Sequence, residues 1–586
     1  MIRKLLFYLC PFCICCLSGC GEKKESEAAV ADLQLAAYHT DEFSIQSGMA
    51  LFNTHCAGCH NFQQQEIGPN LSGITLEADK EWLSAFIRNP AGMIESGDGR
   101  ATESFEKYGI YMPAFSFLED EEMEQLLGFI HVFSKAEKRN TSNRTGGLLN
   151  PVPEKIPESG LTLVIEDAYL IPATADNPPL TRINKMEPQA SRGSQRVFVS
   201  DLRGMLYRLE RDSVFPYLDV GGRFPDFIDR PGLGTGFGSF AFHPAFEENG
   251  LLYTTHTESA GSALADFRMP DSVGTALQWV LSEWQTKNPH SDTFQGTQRE
   301  VLRIDMHSAV HGVQEIKFNP NAKPGQPDYG LLYIGVGDGG TGQTDKNYLA
   351  SSHEWVWGSV LRIDPLGTSS RNGKYGIPPD NPLVETPGAL PEVWCRGFRN
   401  PHRFSWDTSG SGKMFISNIG QHSVEEINLG KAGADYGWPR REGTLLFDPA
   451  ANTELVYPLP ADDQGFTYPV AQYDHDEGNA VCGGYVYTRD DIPLLKGKYI
   501  FGDIPRGSLF FANLAEMQEG SQAPVFRFGL EYQGRPVKLV DLVPGQRVDL
   551  RLGLGPGRAL YLFTKADGRI YRVNGCKKMQ EAVTAP

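Results

Sequence analysis

The chain is short of positive charge: 54 lysines and arginines stand against 72 aspartates and glutamates, a net charge of −18 at pH 7. That balance argues against nucleic acid as a partner, because no excess of cations is available to neutralise phosphates. Apolar runs are also short. After Leu17 none is long enough for a transmembrane helix. Cysteine is sparse through most of the length, and only Cys395, Cys482 and Cys576 follow residue 60. No second Cys/His pair comes after Cys59 and His60 at a zinc-binding spacing, which excludes a structural zinc site there. With 586 residues, two domains are expected, one small and one large.

What is present starts at the N-terminus. Arg3 and Lys4 precede an apolar run from Leu5 to Leu17, followed by Leu17-Ser18-Gly19-Cys20. This is a charged region, a short hydrophobic region and a small-residue cleavage site, too short to span a bilayer. A cysteine in that setting resembles a bacterial lipobox, in which residues 1–19 are removed as a signal peptide and Cys20 is acylated. An ordinary secretory signal cleaved nearby is the alternative, and both export the chain. Gly21 resembles the residue found in lipoproteins sorted to the outer rather than the inner membrane. Residues 20–40 then read as a solvated tether. The expected location is the periplasmic side of a bacterial cell envelope, with the membrane met only through the lipid. In that oxidising compartment Cys395 and Cys482 are a candidate disulfide, with Cys576 left over.

Cys56-Ala57-Gly58-Cys59-His60 is the most specific motif. Two thiols three residues apart, followed by an imidazole, suit covalent attachment of one c-type haem, with His60 on the iron. A thioredoxin-like redox pair is the blander reading. Residues 41–136 show helical recurrence of apolar residues, at Phe43 to Leu51, Glu81 to Ile87 and Glu121 to Phe133. An electron-carrying haem usually takes a second protein ligand. Met93, Met112 and Met123 are available; Met112 precedes Pro113, whose turn can aim it inward, whereas Met123 falls on an amphipathic helix. Residues 137–160, rich in Pro, Gly and charge, read as a linker.

From residue 161 to 576 the period changes. Short strands alternate with Gly, Pro, Asp and Asn turns, and two patterns recur. One is Met205–Leu209, Val301–Asp305, Val360–Asp364 and Arg569–Val573; the other is Leu251–Thr255, Leu331–Gly335 and Leu560–Thr564. Such repetition predicts radially arranged sheets, a β-propeller, with a large sandwich or β-helix as the alternative. The expected fold is therefore multidomain, a small all-α domain followed by an all-β propeller, with residues 577–586 as a tail. Within the propeller, Arg399-Asn400 before Pro401 suits a planar ligand with carbonyl and carboxylate oxygens. Asp338 lies in a Gly-rich loop, and His307 and His311 are candidate bases.

Two family resemblances sharpen this. Cys56–His60, Ile67-Gly68-Pro69-Asn70-Leu71, Tyr111-Met112-Pro113-Ala114-Phe115 and the closing helix resemble class I cytochrome c over about 95 residues. That implies His60 and Met112 as axial ligands of the haem iron, with the Pro69 carbonyl supporting the His60 ring. Further on, Gly236–Pro244, His311–Pro320, Gly337–Gly340, Gly397–Pro401, Gly420–Asn428 and Asp435–Pro439 occur in the order of the PQQ-dependent glucose/sorbosone dehydrogenases. This second resemblance implies a six-bladed propeller that oxidises an aldose or related alcohol. His311 would be the general base, Asp338 its orienting carboxylate, and Arg399 and Asn400 the contacts to the PQQ quinone. Glu426 and the Tyr436 carbonyl match calcium positions of some members. Electrons would pass to the haem and on to another cytochrome or a terminal oxidase. The chain departs from the family where a late-loop Lys is replaced by Pro505, with Arg506, Arg547 and Arg551 as candidate substitutes, and where paired glycines are replaced by Val313 and Gln314. These departures favour the other reading, a surface electron carrier whose propeller only binds, as in Hedgehog-interacting-protein-like relatives.

Overall fold

The computed structural model describes residues 38–578 apart from 57–59, 61, 63–67, 135–143, 190–195, 231–233, 343, 345, 449, 452–454 and 545–546, and side chains except those of residues 50, 53 and 54. The signal segment, most of the tether, Cys20, Cys59 and residues 579–586 thus lie outside the described residues.

The N-terminal part is helical: α1 (Glu42–His55), α2 (Ile74–Glu77), α3 (Lys80–Arg88), α4 (Pro90–Glu95), α5 (Gly99–Tyr108) and α6 (Asp120–Ser134). Aspartates start three of them. Asp41, Asp79 and Asp98 accept backbone N–H bonds from Ser44, Trp82 and Ala101 at 3.0, 2.7 and 2.9 Å, satisfying donors that a helix start leaves orphaned. α1 and α6 pack against each other, with the Phe52 and Phe129 rings 5.3 Å apart and Leu126 and Leu127 wholly buried. Met123 is part of that core, as its helical position predicts.

The rest is a six-bladed propeller. The first blade contains Ile183–Pro188, Val197–Asp201, Met205–Glu210 and Ser213–Asp219; the second contains Ser239–Phe242, Leu251–Ser259, Leu277–Thr286 and Gly296–Met306. The third contains Glu315–Phe318, Leu332–Val336, Ser359–Ile363 and Val393–Arg396; the fourth contains Pro401–Trp406, Met414–Asn418, Val424–Leu429 and Ala471–Asp474. The fifth contains Val481–Val486, Lys498–Asp503, Leu509–Asn513 and Phe526–Tyr532. The sixth is built from both ends of the domain. Arg551–Leu554, Leu560–Phe563 and Arg569–Lys578 are completed by Glu158–Leu170, antiparallel to the last strand. Glu158–Leu170 also pairs in parallel with the fifth blade's outer strand, so the ring is joined at its seam.

The first strand of each blade lies innermost and touches its neighbours around the ring. Apolar layers fill the gaps between blades, such as Leu281, Ile304, Ile316 and Ile334 between the second and third. The recurrent sequence patterns fall where a propeller needs them: Leu251, Leu332 and Leu560 open or begin second strands, while Met205, Val360 and Arg569 lie at third strands.

Two local expectations change. The closing strand begins at Glu158, inside the stretch read as linker, and what precedes it is pinned to the propeller. The Val152 and Ile156 amides donate to Asp474 and Glu477 at 2.9 and 3.0 Å, and Leu148 bridges to Val456. The Cys395–Cys482 disulfide is not formed. Cys395 lies on the outer strand of the third blade and Cys482 on the inner strand of the fifth, with the fourth blade between them, and both thiols are buried and unpaired. Burial pushes the Cys482 thiol up to about 12, so it stays protonated and unreactive.

Candidate functional site

A cavity of about 570 Å³ lies mostly within the helical region, lined by Cys56, His60, Leu71, Ile87, Tyr111 and Met112 among others. That volume is within the range typical of buried cofactor sites, about 300–1,000 Å³. His60 is buried, and its Nδ1 donates to the Pro69 carbonyl at 2.9 Å. A carbonyl only accepts, so the ring proton sits on Nδ1 and Nε2 keeps its lone pair for a metal. Burial also lowers the His60 pKa, favouring the neutral, ligating form. The wall is apolar, one thiol of the attachment motif is present, and a thioether sulfur shares the cavity with the imidazole. This donor set fits a haem. The second thiol, Cys59, lies outside the described residues.

Gly68 is required by close approach. A Cβ there would lie 2.3 Å from His60 Cε1. Gly68→Ala is expected to push the ring off its position, cost about 1–3 kcal/mol of stability, and replace the six-coordinate haem spectrum with a five-coordinate one. A variant with an unchanged spectrum contradicts that packing.

The second centre lies in the propeller. His311 follows the second blade and takes φ of 51°, a left-handed conformation uncommon outside glycine. Gly337 makes room for this turn, since a Cβ there would lie 2.1 Å from the His311 carbonyl oxygen. His311 Nδ1 donates to Asp338 Oδ1 at 2.7 Å, which leaves Nε2 as the basic nitrogen. Asp338 is held on every side. Gly340 N donates to Oδ1 at 2.8 Å, while Trp438 Nε1 and Gly342 N donate to Oδ2 at 2.9 and 3.1 Å. Burial opposes its charge, but the His311 ring and these donors outweigh burial and hold the carboxyl below the usual range. Burial and then the Arg399 charge lower the His311 pKa, with Asp338 pulling the other way.

Arg399 and Asn400 stand beside this pair. Their backbone amides both donate to Asn418 Oδ1, at 3.1 and 2.9 Å, and the Arg399 carbonyl accepts from the Asp338 amide at 2.8 Å. Arg399 Nε donates to Gln421 Oε1 at 2.6 Å. The four residues singled out in sequence, His311, Asp338, Arg399 and Asn400, therefore meet in one place, where all but the partly exposed His311 are buried.

Three other expectations do not gather there. The Arg506 guanidinium is committed to the connection between the fourth and fifth blades, donating to Asn479 Oδ1 and to the Asp476 and His475 carbonyls at 3.0, 2.8 and 3.0 Å. It serves loop structure rather than a bound carboxylate. Glu426 is a hydrogen-bond hub. Asn418 and Asn428 donate to Oε2 at 3.0 and 2.9 Å and Gly443 N donates to Oε1 at 2.6 Å, while burial raises its pKa to about 7. The Tyr436 ring stacks on Phe398 and its hydroxyl donates to the Leu429 carbonyl, contacts that leave open the part of its own carbonyl. Among the described residues no group of three or more His, Cys, Asp or Glu comes together to hold a metal ion. Glu426 does not present the open carboxylate that calcium needs.

Sequence reading offers Arg551 as a possible carboxylate clamp but misses Lys565 and the buried cationic cluster that the two form. Arg551 and Lys565 are 2% and 3% exposed, and their charges, with those of Arg403 and His311, bear on His402. His402 is itself 3% exposed, and neither ring nitrogen has a hydrogen-bond partner. Burial lowers the pKa of Arg551 to about 10 and that of Lys565 well below its usual value. Asp549 supplies one negative charge among these cations, which leaves an excess of buried positive charge around an orphaned imidazole. A polycarboxylate quinone fits this donor set. The signal for Lys565 was positional. It follows the second strand of the sixth blade by two residues, as Asp338 follows that of the third and Pro505 that of the fifth.

Comparisons with known proteins agree with this layout. Residues 45–133 match the family model Cytochrome c, and residues 190–538 match Glucose / Sorbosone dehydrogenase. HIPL2 protein of Arabidopsis thaliana is 29% identical over 365 residues, 55% of this chain and 50% of that protein. Hedgehog-interacting protein of Homo sapiens is 26% identical over 316 residues, 53% of this chain and 39% of that protein. Quinoprotein glucose dehydrogenase B of Acinetobacter calcoaceticus is 26% identical over 235 residues, 37% of this chain and 43% of that protein. The chain thus spans half or less of the length of these curated relatives. A solved structure titled glucose dehydrogenase shares the propeller fold, with a TM-score of 0.50 at 19% identity over 70% of this chain and 99% of that one. With more than half of its residues under one family model, the chain belongs to the glucose/sorbosone dehydrogenase family and carries a cytochrome c region ahead of its propeller.

Proposed function

We propose that the chain is an oxidoreductase that oxidises an aldose or related alcohol at the propeller and passes the electrons to a c-type haem in the helical domain. The observation that carries this reading is the His311–Asp338 pair, its carboxylate buried and its ring partly exposed, beside buried Arg399 and Asn400, a base, its orienting carboxylate and a cation in one place. His311 Nε2 takes the proton of the substrate's C1 hydroxyl, and Asp338 holds the ring and steadies its charge once protonated. Arg399 and Asn400 orient the quinone, and the Arg399 cation stabilises negative charge that develops on it. Arg551 and Lys565 hold its carboxylates, with Lys565 replacing the lysine missing at Pro505. Bound PQQ supplies the hydride acceptor, so that C1–H breaks, a C1 carbonyl forms and two electrons leave the sugar. His60 and Met112 would hold a haem iron, Cys56 and Cys59 would carry its porphyrin covalently, and the group would supply a one-electron acceptor for the chain. An exogenous cytochrome or terminal oxidase takes the electrons onward.

We further place the chain on the periplasmic side of a bacterial envelope, anchored through Cys20, on the strength of Leu17-Ser18-Gly19-Cys20. Tethering both centres in one chain makes electron transfer between them effectively intramolecular.

The test is a titration of the purified haem protein with PQQ, with and without added calcium, while its absorption is followed against a panel of aldoses. Saturable PQQ binding and sugar-dependent haem reduction are expected. Absence of PQQ binding overturns the enzymatic reading. It would leave a binding propeller, which the similarity to Hedgehog-interacting protein and the Pro505 and Gln314 substitutions favour.

A further inference from the structure

The cavity that holds His60 and Met112 is not closed by the helical domain alone. Arg547, which precedes the inner strand of the sixth blade, contributes to its lining. A second propeller arginine arrives from the connection between the first and second blades. Arg230 lies over the Phe117 ring at 4.7 Å, and its charge bears on His55, another residue of the cavity wall. His55 and Phe117 are themselves in edge contact, with ring centroids 5.4 Å apart.

Arg547 also belongs to the other centre. Its Nε lies 2.8 Å from Asp549 Oδ1, with both side chains largely buried, and its charge bears on Arg551 and Lys565 of the cationic cluster. One guanidinium thus stands between the cavity of the helical domain and the cationic cluster of the propeller. The helical domain contributes Glu77, Glu103, Arg100 and Lys107 to the same cavity, two charges of each sign. Arg547 tips that balance towards positive, although Asp549 behind it offsets part of the gain.

We propose that Arg547 is a haem-site residue supplied by the propeller, pairing with a haem carboxylate and so tying the helical domain to the propeller. The inference rests on the haem reading above and goes beyond it, because it makes the haem site incomplete without the second domain. A guanidinium is suited to the task, since its planar fork pairs with a carboxylate through two bonds. A cation beside a buried haem favours the ferrous over the ferric charge state and raises the potential.

The full-length holoprotein gives the test, by spectroelectrochemical titration of the haem in Arg547→Gln, Arg547→Lys and Asp549→Asn. Arg547→Gln is expected to shift the midpoint potential downward, Arg547→Lys to restore most of it, and Asp549→Asn to shift it upward. An intact c-type spectrum with a wild-type potential in Arg547→Gln overturns the proposal. Should Arg547→Gln fail to fold, Asp549→Asn decides: an upward shift supports the proposal and an unchanged potential overturns it. A wild-type protein without a c-type haem spectrum instead defeats the haem reading, so the two failures are distinguishable.

Discussion

His311→Ala is expected to lower kcat for sugar-dependent haem reduction by about 10²–10⁴-fold, the usual worth of a positioned general base, while PQQ still binds. The reason is directional. Asp338 Oδ1 takes the Nδ1 proton at 2.7 Å, so the opposite nitrogen is the only one free to accept the substrate's proton. Asp338→Asn is expected to weaken turnover less, by loosening the tautomer without removing the base. The pH profile supplies an independent check. Burial, followed by the Arg399 charge, lowers the His311 pKa, so the neutral, active form persists below the ordinary 6.5. The acid limb of kcat/KM is expected below pH 6.5, and Arg399→Gln is expected to move it upward. Full activity in His311→Ala removes the residue from the mechanism.

The second large effect concerns stability. Lys185, on the inner strand of the first blade, pairs with Glu315 on the inner strand of the third, and both are almost wholly buried. The same ammonium donates to Ser239 Oγ of the second blade at 3.1 Å and to the Ile316 carbonyl at 2.9 Å. Arg403 of the fourth blade approaches Glu315 at 3.7 Å. Glu315 is thus the carboxylate in direct contact with two cations where four blades converge, with Glu187 bearing on Lys185 as well. Glu315→Gln removes the direct partner of Lys185, and breaking a buried pair costs about 3–5 kcal/mol. Denaturant titration is expected to show the midpoint falling by that equivalent at unchanged m-value. A shift below about 1 kcal/mol would place the ring's cohesion in the interblade apolar layers instead.

Much of this arrangement was legible because it rests on short-range chemistry. Cys56 to His60 names its cofactor by spacing, and the Met112-Pro113 pair declares its turn. The order of motifs from Gly236 to Pro439 identified the propeller better than any strand period did, since all six blades have unequal loops. The convergence of His311, Asp338, Arg399 and Asn400 followed from the family order. What failed had long-range causes. Arg506 sits beside the position of the absent lysine, yet adjacency in sequence says nothing about which carbonyls a loop will offer. Lys565 is 60 residues from Pro505 along the chain but equivalent to it by blade position. Only the radial geometry reveals that equivalence. Glu426 reads as a calcium ligand until Asn418, Asn428 and Gly443 are seen around it.

The seam of the ring has one more consequence. Glu158–Leu170 is the first propeller segment to leave the ribosome, and its antiparallel partner, Arg569–Lys578, is the last. The ring therefore cannot close until the end of the chain is available, and Arg547, close to that end, reaches the haem cavity only then. Closure is a single late event, and it clamps the segment that leads back to the haem domain between the fifth blade's edge and the final strand. Deleting that final strand would unlatch the ring and the attachment of its electron carrier together.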